Sequence, residues 1–349
     1  MTRTPAPAAP TAPATPAAPP VPHPAPLRVA VIGGGQSAEH EVSLASAASV
    51  ASTLTTGPHS ARYVVVRLTV DRAGMWRDGG GRPVGLAGAV HVLRSCDVVL
   101  PVVHGPRGED GTLAALCELA GVPYVGSGVT AGALAMDKWA TKLVAEAVGL
   151  RTAPGVLLTA ATAASYRFTH PVVVKPVAAG SSQGVTLVRT VDALGPALDA
   201  ALALDHRVLV EDVVVGREID VAVLATGPGG ADRVVSPALE IVVDGFFDYD
   251  AKYGGGAEFR VPAALAEVDR EALEAAALTA YDALGCRGVA RVDFFLTDDG
   301  LVLNEVNTMP GFTATSQVPR MFAAAGVPYA DLLDLLVRDA VAGSVAVAA

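Results

Sequence analysis

Charged and amide side chains interrupt two apolar runs near the C-terminus of this 349-residue chain. In "GLVLNEVN", Glu305 and Asn307 are two residues apart, and in "GVARVDFFLT" so are Arg291 and Asp293. Residues i and i+2 of a strand point to the same side, and the turn sequence "DDG" joins the two runs as a hairpin. Three oxygen ligands on adjacent strands, beside an arginine, suit Mg²⁺ bound to phosphates. The alternative is a charged hairpin rim, which is disfavoured because the polar residues interrupt the strands, where an unpaired carboxylate is costly.

The stretch "KPVAAGSSQGV" (175–185) is a Gly/Ser loop between two predicted strands, and such a loop can present N–H groups and hydroxyls to phosphates. It is not a Walker A loop, so a flexible hairpin loop is an alternative. Only four of the 25 basic residues are lysines, so each lysine is a candidate for a site that needs a compact ammonium, with chance placement as the alternative. Lys175 and Lys138 are therefore predicted to lie near one cleft, whereas Lys142 is attributed to chance.

A Gly-rich turn near the start, "VIGGGQSAEHEVS", lacks the G-x-G-x-x-G fingerprint, so a dehydrogenase is disfavoured. Within it, Glu39 could hold a substrate ammonium, although Glu39 and Glu41 also suit the N-terminus of a helix through its dipole. "VVHGPRGEDGT" is another strand-end loop with charged residues, and the ends of strands are where α/β sheets bind ligands.

The pattern of elements predicts an α/β protein, with strands and helices alternating in a parallel first domain that closes near 122–128. Residues 244–260 are predicted to be a polar-aromatic loop. The predicted strands lie at 27–35, 63–70, 95–103, on both sides of the loop in 171–188, and at 207–214, 218–226, 235–243, 288–297 and 300–307. The predicted helices lie at 41–54, 111–121, 136–149, 192–204, 267–284 and 329–341.

Composition narrows the class of protein. The net charge of −10 argues against binding to nucleic acid or to an anionic membrane, and no apolar run reaches the ~18–20 residues of a membrane span. Three sparse cysteines, Cys96, Cys117 and Cys286, predict buried free thiols in a reducing cytoplasm. Residues 1–26 are rich in Pro and Ala, lack the apolar segment of a signal peptide and are predicted to be a disordered tail.

Eight motifs in order resemble the D-alanine–D-alanine ligase family of the ATP-grasp superfamily: "GGGQSAEHEVS", "HGPRGEDG", "YVGSG", "AMDK", "VVKPVAAGSSQGV", "FDYDAKY", "RVDFF" and "NEVNTMPGFT". The resemblance spans about residues 27–341. It implies an α/β, three-domain ATP-grasp fold with an N-terminal Rossmann-like (pre-ATP-grasp) domain. The implied units are the tail 1–26, an N-terminal domain 27–126, a central ATP-grasp domain 127–211, a C-terminal ATP-grasp domain 212–341 with the metal site and lid loop 244–260, and a tail 342–349.

The resemblance also implies the residues that bind ATP and metal. The phosphates are contacted by Lys138, Lys175 and Ser182, the adenine amino group by Glu211 and the ribose by Glu218. Two Mg²⁺ ions, which Mn²⁺ can replace, are held by Asp293, Glu305 and Asn307.

The remaining implied roles concern the two amino acids. Glu39 orients the ammonium of the first D-amino acid, and His104 lies near that subsite. Arg291 and the backbone of Gly311 stabilise an oxyanion. Ser316 binds the second carboxylate, and Gln317 lines the second subsite. The lid closes through Ser181, Tyr253 and the neighbouring Lys252.

The implied reaction is the ATP-dependent ligation of two D-alanines through D-alanyl phosphate, for peptidoglycan precursor synthesis, by a cytoplasmic homodimer. Two departures keep alternatives open. Gln317 stands where many relatives carry Leu or Met, and "VAA" (177–179) stands where some relatives carry charged residues. The main alternative is a D-Ala–D-lactate or D-Ala–D-serine ligase, although Lys252 and Tyr253 resemble the dipeptide-forming type. A non-catalytic nucleotide-binding protein is a remote alternative, because it would not need the complete set of residues.

Overall fold

The computed structural model describes residues 25–227, 230–242 and 258–347, with side chains as far as residue 343. Nearly all of the predicted N-terminal tail, most of the predicted lid, and both Lys252 and Tyr253 lie outside these residues. The described residues form three sheets. The exact domain boundaries stay a prediction.

The first sheet has the strand order β3-β2-β1-β4, and β1 pairs in parallel with both β2 and β4. Strand β1 is apolar and buried on both faces, as expected for a central parallel strand. At its end Gly34 has φ +87°, and a Cβ there would lie 2.2 Å from the Val70 carbonyl oxygen, so only glycine fits this turn. The elements are β1 (Leu27–Gly34), α1 (His40–Thr56), β2 (Tyr63–Val70), β3 (Trp76–Asp78), α2 (Gly85–Leu93), β4 (Val98–Pro101) and α3 (Thr112–Ala120).

The second sheet is antiparallel, with the order β5-β8-β6-β7. It has its own apolar core against α7, a helix that runs through Gly195-Pro196 as predicted. The elements are α4 (Val129–Met136), α5 (Lys138–Ala147), β5 (Gly155–Thr159), α6 (Ala160–Ala163), β6 (Val172–Pro176), β7 (Thr186–Val188), α7 (Val191–Leu202) and β8 (Arg207–Asp212).

The third sheet has the order β12-β11-β9-β13-β14, and β10 pairs with β9. Apolar residues of α4 and α5 join the core of this sheet rather than that of the second sheet. Its elements are β9 (Arg217–Thr226), β10 (Asp232–Val235), β11 (Leu239–Val242), β12 (Glu258–Arg260), α8 (Glu267–Ala283), β13 (Val289–Thr297), β14 (Gly300–Asn307), α9 (Gln317–Ala324) and α10 (Tyr329–Val347).

One apolar core joins the first and third sheets. It includes Val31 of β1, Leu224 of β9, Phe322 of α9 and Leu336 of α10, each at most 2% exposed. The second sheet does not share this core. The cleft between the second and third sheets is therefore lined by two separately packed units.

Some details of the predicted elements were wrong. Of the strand expected at 235–243, Val235 is the last residue of β10 and Leu239–Val242 forms β11; Pro237, which has no N–H for a ladder bond, lies between them. Helix α10 continues to Val347 instead of ending at 341. The last three residues of the predicted lid form β12, which pairs with β11.

Candidate active site

Strand register brings three carboxylates into one row across the third sheet. Asp293 of β13 lies opposite Glu305 of β14 and opposite Asp220 of β9. The register between β13 and β14 shifts after Asp293, leaving Asn304 as an extra residue in a bulge. Bulges often redirect side chains next to functional sites.

The guanidinium of Arg291 lies among these acids. Its Nε and Nη2 each donate to one oxygen of Asp293 at 2.7 Å, and Nη1 donates to Oε1 of Gln317 at 2.6 Å. The amide nitrogen of Gln317 donates to Asp220 at 2.9 Å, so the amide bridges a cation and an anion. Burial alone would lower the pKa of Arg291, but Asp293 and Asp220 outweigh burial and hold it well above its ordinary value.

Asp293, Glu305 and Asn307 converge as the hairpin pattern predicts. The Asn307 amide lies 3.1 Å from Oδ2 of Asp293 and 3.5 Å from Oε1 of Glu305. No group of three His, Cys, Asp or Glu side chains suited to a metal occurs in the described part of the chain. The available donors are thus two carboxylates and one carboxamide, a hard oxygen set of the kind that Mg²⁺ accepts when waters and phosphate oxygens complete its shell.

Two lysines lie in the same cleft as these acids. Lys138 is the first residue of α5, and the N-cap of this helix, Asp137, accepts from the Ala140 N–H at 2.9 Å. Nζ of Lys138 donates to the Ala179 carbonyl at 2.8 Å and lies 3.3 Å from Oε2 of Glu305. Lys175 is only 6% exposed and comes from β6.

Glu211 lies between two lysines in the floor of this cleft. Lys175 contacts one carboxylate oxygen at 2.5 Å, and Lys142 contacts the other at 2.7 Å and also donates to the Ala153 carbonyl. Burial alone would raise the pKa of Glu211, but the two ammonium groups lower it. Lys142 is therefore not a chance placement: the structure gives it a buried ionic partner.

The cleft consists of two adjoining cavities. The larger, about 510 Å³, has the size of a small-molecule site and is lined by Lys175, Ser182, Glu211, Glu218 and Asp293. The smaller, about 220 Å³, is lined by Glu39, His104, Ser181, Asn307, Gly311 and Ser316. Lys138, Arg291, Glu305 and Gln317 line both cavities. Every predicted site residue that the structure describes therefore faces one of the two.

Glu39 enters the smaller cavity from the start of α1. Its Oε1 accepts from the Ser181 hydroxyl, and among the described residues Oε2 is buried without a hydrogen-bond partner. Ser181 and Ser182 have φ of 52° and 54°, uncommon for residues other than glycine. A Cβ on Gly180 would lie 2.2 Å from Oε2, so this loop needs glycine to approach the carboxylate.

Several site residues were missed from the sequence. Glu109 accepts from the Gly105 N–H at 2.7 Å and from the Met309 N–H at 3.1 Å. Burial, and secondarily the charge of Glu39, raise the pKa of Glu109 to about 8. Glu109 stood in a noted charged loop, and Asp220 in "EIDVAVL" carried the same signal as Asp293, a carboxylate inside an apolar run.

Family models and a curated relative match most of this chain. The family model described as D-ala D-ala ligase C-terminus matches residues 146–338, and that described as D-ala D-ala ligase N-terminus matches 28–85 and 84–127. A protein of Mycolicibacterium vanbaalenii named D-alanine--D-alanine ligase is 40% identical, covering 90% of this chain and 97% of its own.

Solved structures resemble the whole fold. The VanG D-Ala:D-Ser ligase of Enterococcus faecalis aligns with a TM-score of 0.78 and 33% identity, over 90% of this chain and 99% of its own. The D-alanine-D-alanine ligase of Coxiella burnetii aligns with a TM-score of 0.76 and 30% identity, over 93% and 97%. The ligase of Bacillus anthracis, complexed with ATP, aligns with a TM-score of 0.74 and 26% identity, over 92% and 99%.

The three sheets and the lysine-lined cleft between two of them define an ATP-grasp enzyme. The predicted fold class and the predicted class of enzyme, an ATP-dependent ligase, are confirmed. The chain belongs to the D-alanine–D-alanine ligase family. The three cysteines are free and buried as predicted, and no helix in the described ranges is long and apolar enough to cross a bilayer.

Proposed function

We propose that the chain joins two D-alanine molecules at the expense of ATP, through D-alanyl phosphate. One observation carries this proposal: Nζ of Lys138, the first residue of α5, lies 3.3 Å from Oε2 of Glu305 of β14, where the two cavities meet. A phosphoryl donor in the larger cavity and an amino-acid carboxylate in the smaller one would therefore meet between the cations and the metal-binding acids.

ATP occupies the larger cavity in this proposal. Lys138 and Lys175 neutralise phosphate charge, and Ser182 contributes from the Gly/Ser loop. Glu211, kept ionised by two lysines, accepts from the adenine amino group, and Glu218 contacts the ribose. The second sheet carries most of these groups, so its position sets that of the nucleotide.

Asp293, Glu305 and Asn307 would hold Mg²⁺, which supplies charge neutralisation on the phosphates when bound. The oxygen donor set supports this assignment. In the present arrangement the nitrogen of Asn307 faces Asp293, so a rotation of the amide would turn its oxygen toward the metal. The bidentate contact with Arg291 leaves further lone pairs on each oxygen of Asp293.

The first D-alanine lies in the smaller cavity. Its ammonium meets Oε2 of Glu39, the buried oxygen that lacks a partner among the described residues. Its carboxylate takes the terminal phosphoryl group of ATP, which gives an acyl phosphate and ADP. His104 lines this subsite, while Ser181, Tyr253 and Lys252 are assigned to lid closure, which excludes water from the acyl phosphate.

The amine of the second D-alanine then attacks the acyl carbon. The carbonyl oxygen becomes an oxyanion, which Arg291 and the Gly311 N–H stabilise. Collapse of this intermediate expels phosphate, the amine loses its proton, and the peptide bond remains. Ser316, which precedes α9, binds the second carboxylate, and the N-terminus of that helix favours a negative charge.

D-Serine is the specific rival acceptor. Gln317 makes one wall of the site polar, and the VanG ligase, whose name gives D-Ala:D-Ser, is 33% identical to this chain. D-Lactate is the other rival. Homodimer formation and a cytoplasmic location stay predictions from the resemblance and the cysteines.

A competition assay tests the acceptor. The enzyme receives ATP, Mg²⁺ and D-alanine with an equal concentration of D-serine or D-lactate, and the products are measured by mass. D-alanyl-D-alanine is expected to dominate at neutral pH, with phosphate release that depends on both D-alanine and Mg²⁺ and that D-cycloserine inhibits. If the product with D-serine or D-lactate dominated, D-alanine would be refuted as the preferred second substrate. ADP formation independent of any amino acid would refute the ligase assignment.

A further inference from the structure

The loop that carries Gly311 is anchored on both sides of that residue. The Met309 N–H donates to Glu109 at 3.1 Å, and the Met309 carbonyl lies 2.9 Å from Nδ1 of His104. On the other side, the Phe312 N–H donates to Oγ of Ser46 at 3.1 Å. Pro310 has no N–H, so Gly311 supplies the amide that lies between these anchored positions and lines the smaller cavity.

One arrangement of protons satisfies the whole chain of contacts. The Met309 carbonyl can only accept, so Nδ1 of His104 carries a hydrogen. In the neutral ring Nε2 is then an acceptor, and it lies 2.9 Å from Oγ of Ser46. The Ser46 hydroxyl donates to that nitrogen and accepts from the Phe312 N–H. Burial lowers the pKa of His104, which agrees with a neutral ring.

Ser46 and His104 belong to the first sheet unit, whereas Gly311 follows the last strand of the third. Ser46 lies in α1 and is 0% exposed, and His104 follows β4 and is 2% exposed. Their contacts with the 309–312 loop span more than 200 residues of sequence. A buried, fully satisfied network of this kind holds a single geometry, because leaving any member without a partner is costly.

We propose that Ser46 is a positioning residue for the oxyanion site. Its hydroxyl, held between Nε2 of His104 and the N–H of Phe312, keeps the preceding Gly311 N–H aimed at the reacting carbonyl. This inference rests on the proposed function, which assigns that N–H to the oxyanion. Ser46 touches no substrate in this account and acts only through the loop.

The test separates the two chemical steps. Formation of the acyl phosphate is followed by positional isotope exchange, in which ¹⁸O in the β–γ bridge of ATP scrambles when ADP and acyl phosphate form reversibly. Attack by the second amino acid is followed as dipeptide synthesis. An oxyanion donor acts in the second step, so Ser46→Ala is expected to lower kcat for dipeptide on the order of tenfold, less than complete loss of such a donor. Exchange should stay within about twofold of wild type.

Ser236→Ala is the matched control. Ser236 is also buried, at 2% exposed, and its hydroxyl accepts from the Ala222 N–H at 3.0 Å and donates to the Pro237 carbonyl at 3.0 Å. The Ser236→Ala variant therefore loses the same kind of hydrogen bonds as Ser46→Ala, but none of them involves the 309–312 loop. Its dipeptide synthesis should stay near that of wild type. Ser46→Cys, which nearly keeps the volume and has a weaker donor, secures a folded variant and should give an intermediate loss.

Three results would overturn the inference: unchanged dipeptide synthesis in both Ser46 variants, an equal loss in both steps, or an equal loss in the Ser236 control. Failure of the proposed function differs from all three, because wild-type enzyme itself would then show no exchange or ADP formation dependent on D-alanine.

Discussion

Nζ of Lys142 lies 2.7 Å from Oε1 of Glu211, and both side chains are 7% exposed. The bond joins α5, which packs on the third sheet, to β8 of the second sheet. Because Nζ of Lys175 lies 2.5 Å from the other carboxylate oxygen, Glu211 has a fixed orientation in the floor of the proposed nucleotide cleft.

Replacing Lys142 by Met should therefore weaken ATP binding. Glu211 would keep one cationic partner and turn toward it, so KM for ATP should rise on the order of tenfold, equivalent to about 1.4 kcal/mol, while KM for D-alanine changes little. Lys142→Arg should recover part of the loss. Initial rates with each substrate varied in turn provide the measurement. An unchanged KM for ATP in folded Lys142→Met would contradict this role.

Gln317 is expected to affect catalysis through its hydrogen bonds with Arg291 and Asp220. In Gln317→Leu, Arg291 loses an acceptor and Asp220 loses a donor. Leaving buried polar groups without partners costs about 1–3 kcal/mol, so kcat should fall roughly tenfold. Gln317→Glu should be worse, because it would bring a carboxylate close to Asp220, which now accepts at 2.9 Å. Steady-state kcat and Tm of both variants check this. Equal kcat for the two would argue against the charge-bridging role.

Gly180→Ala should weaken binding of the first D-alanine. The new Cβ would lie 2.2 Å from Oε2 of Glu39, so the carboxylate or the loop must move. We expect KM for D-alanine in acyl phosphate formation to rise on the order of tenfold, about 1.4 kcal/mol.

Gly195→Ala is the control for that substitution. Gly195 lies within α7, and a Cβ there meets nothing within 4 Å. The change should leave KM for D-alanine unaltered, because Gly195 lies far along the chain from Glu39 and lines neither cavity. A similar rise of KM in both variants would rule out the contact with Glu39 as its cause.

Glu305→Ala should abolish turnover without unfolding the protein. Glu305 is partly exposed, with its side chain at 24%, so its loss leaves little empty core. The ADP formed in the presence of D-alanine should fall by at least about 100-fold, the scale of losing one electrostatic contact in a reacting site, and excess Mg²⁺ or Mn²⁺ should restore little. Substantial activity in this variant at ordinary Mg²⁺ would refute the metal assignment.

The junction between the first sheet and α10 should be sensitive to acid. Asp334 accepts from the Tyr63 hydroxyl at 2.5 Å and from Nη1 of Arg62 at 2.8 Å. Burial alone would raise the pKa of Asp334, but these two hydrogen bonds outweigh burial and lower it. A lowered pKa in the folded state means that the stabilisation is present above pH ~4, the ordinary pKa of Asp. It is lost as the pH falls below that value.

Asp334→Asn should accordingly lower the Tm at pH 7 by about 2 °C and make the Tm less dependent on pH below ~4. Thermal unfolding of both proteins between pH 3 and 7 is the measurement. Kinetics at pH 7 should not change, because Asp334 lies away from the residues that line the two cavities. Parallel curves for the two proteins would contradict the role of this carboxylate.

Local sequence patterns were enough to predict most elements and to bring several candidate site residues to one side of a hairpin. Alternation along "ARVDFF" and "LNEVN" predicted that Asp293, Glu305 and Asn307 share one side of a hairpin, because side-chain direction in a strand depends only on the period of two. The scarcity of lysine pointed to Lys138 and Lys175. Helix signals such as the run from Glu267 predicted α8 nearly to the residue.

Strand register and packing decided the rest. Asp220 joins the row of acids only because β9 pairs with β13. Lys142 meets Glu211, 69 residues away, only because the tertiary fold brings α5 next to β8. Ser46 and His104 support the loop of Gly311 for the same reason. Such contacts depend on free energies summed over whole sheets and cores. The spacing of residues along the chain therefore does not predict these contacts. The sequence by itself therefore determined the family and the class of reaction, whereas the tertiary structure decided which side chains lie together in the candidate site.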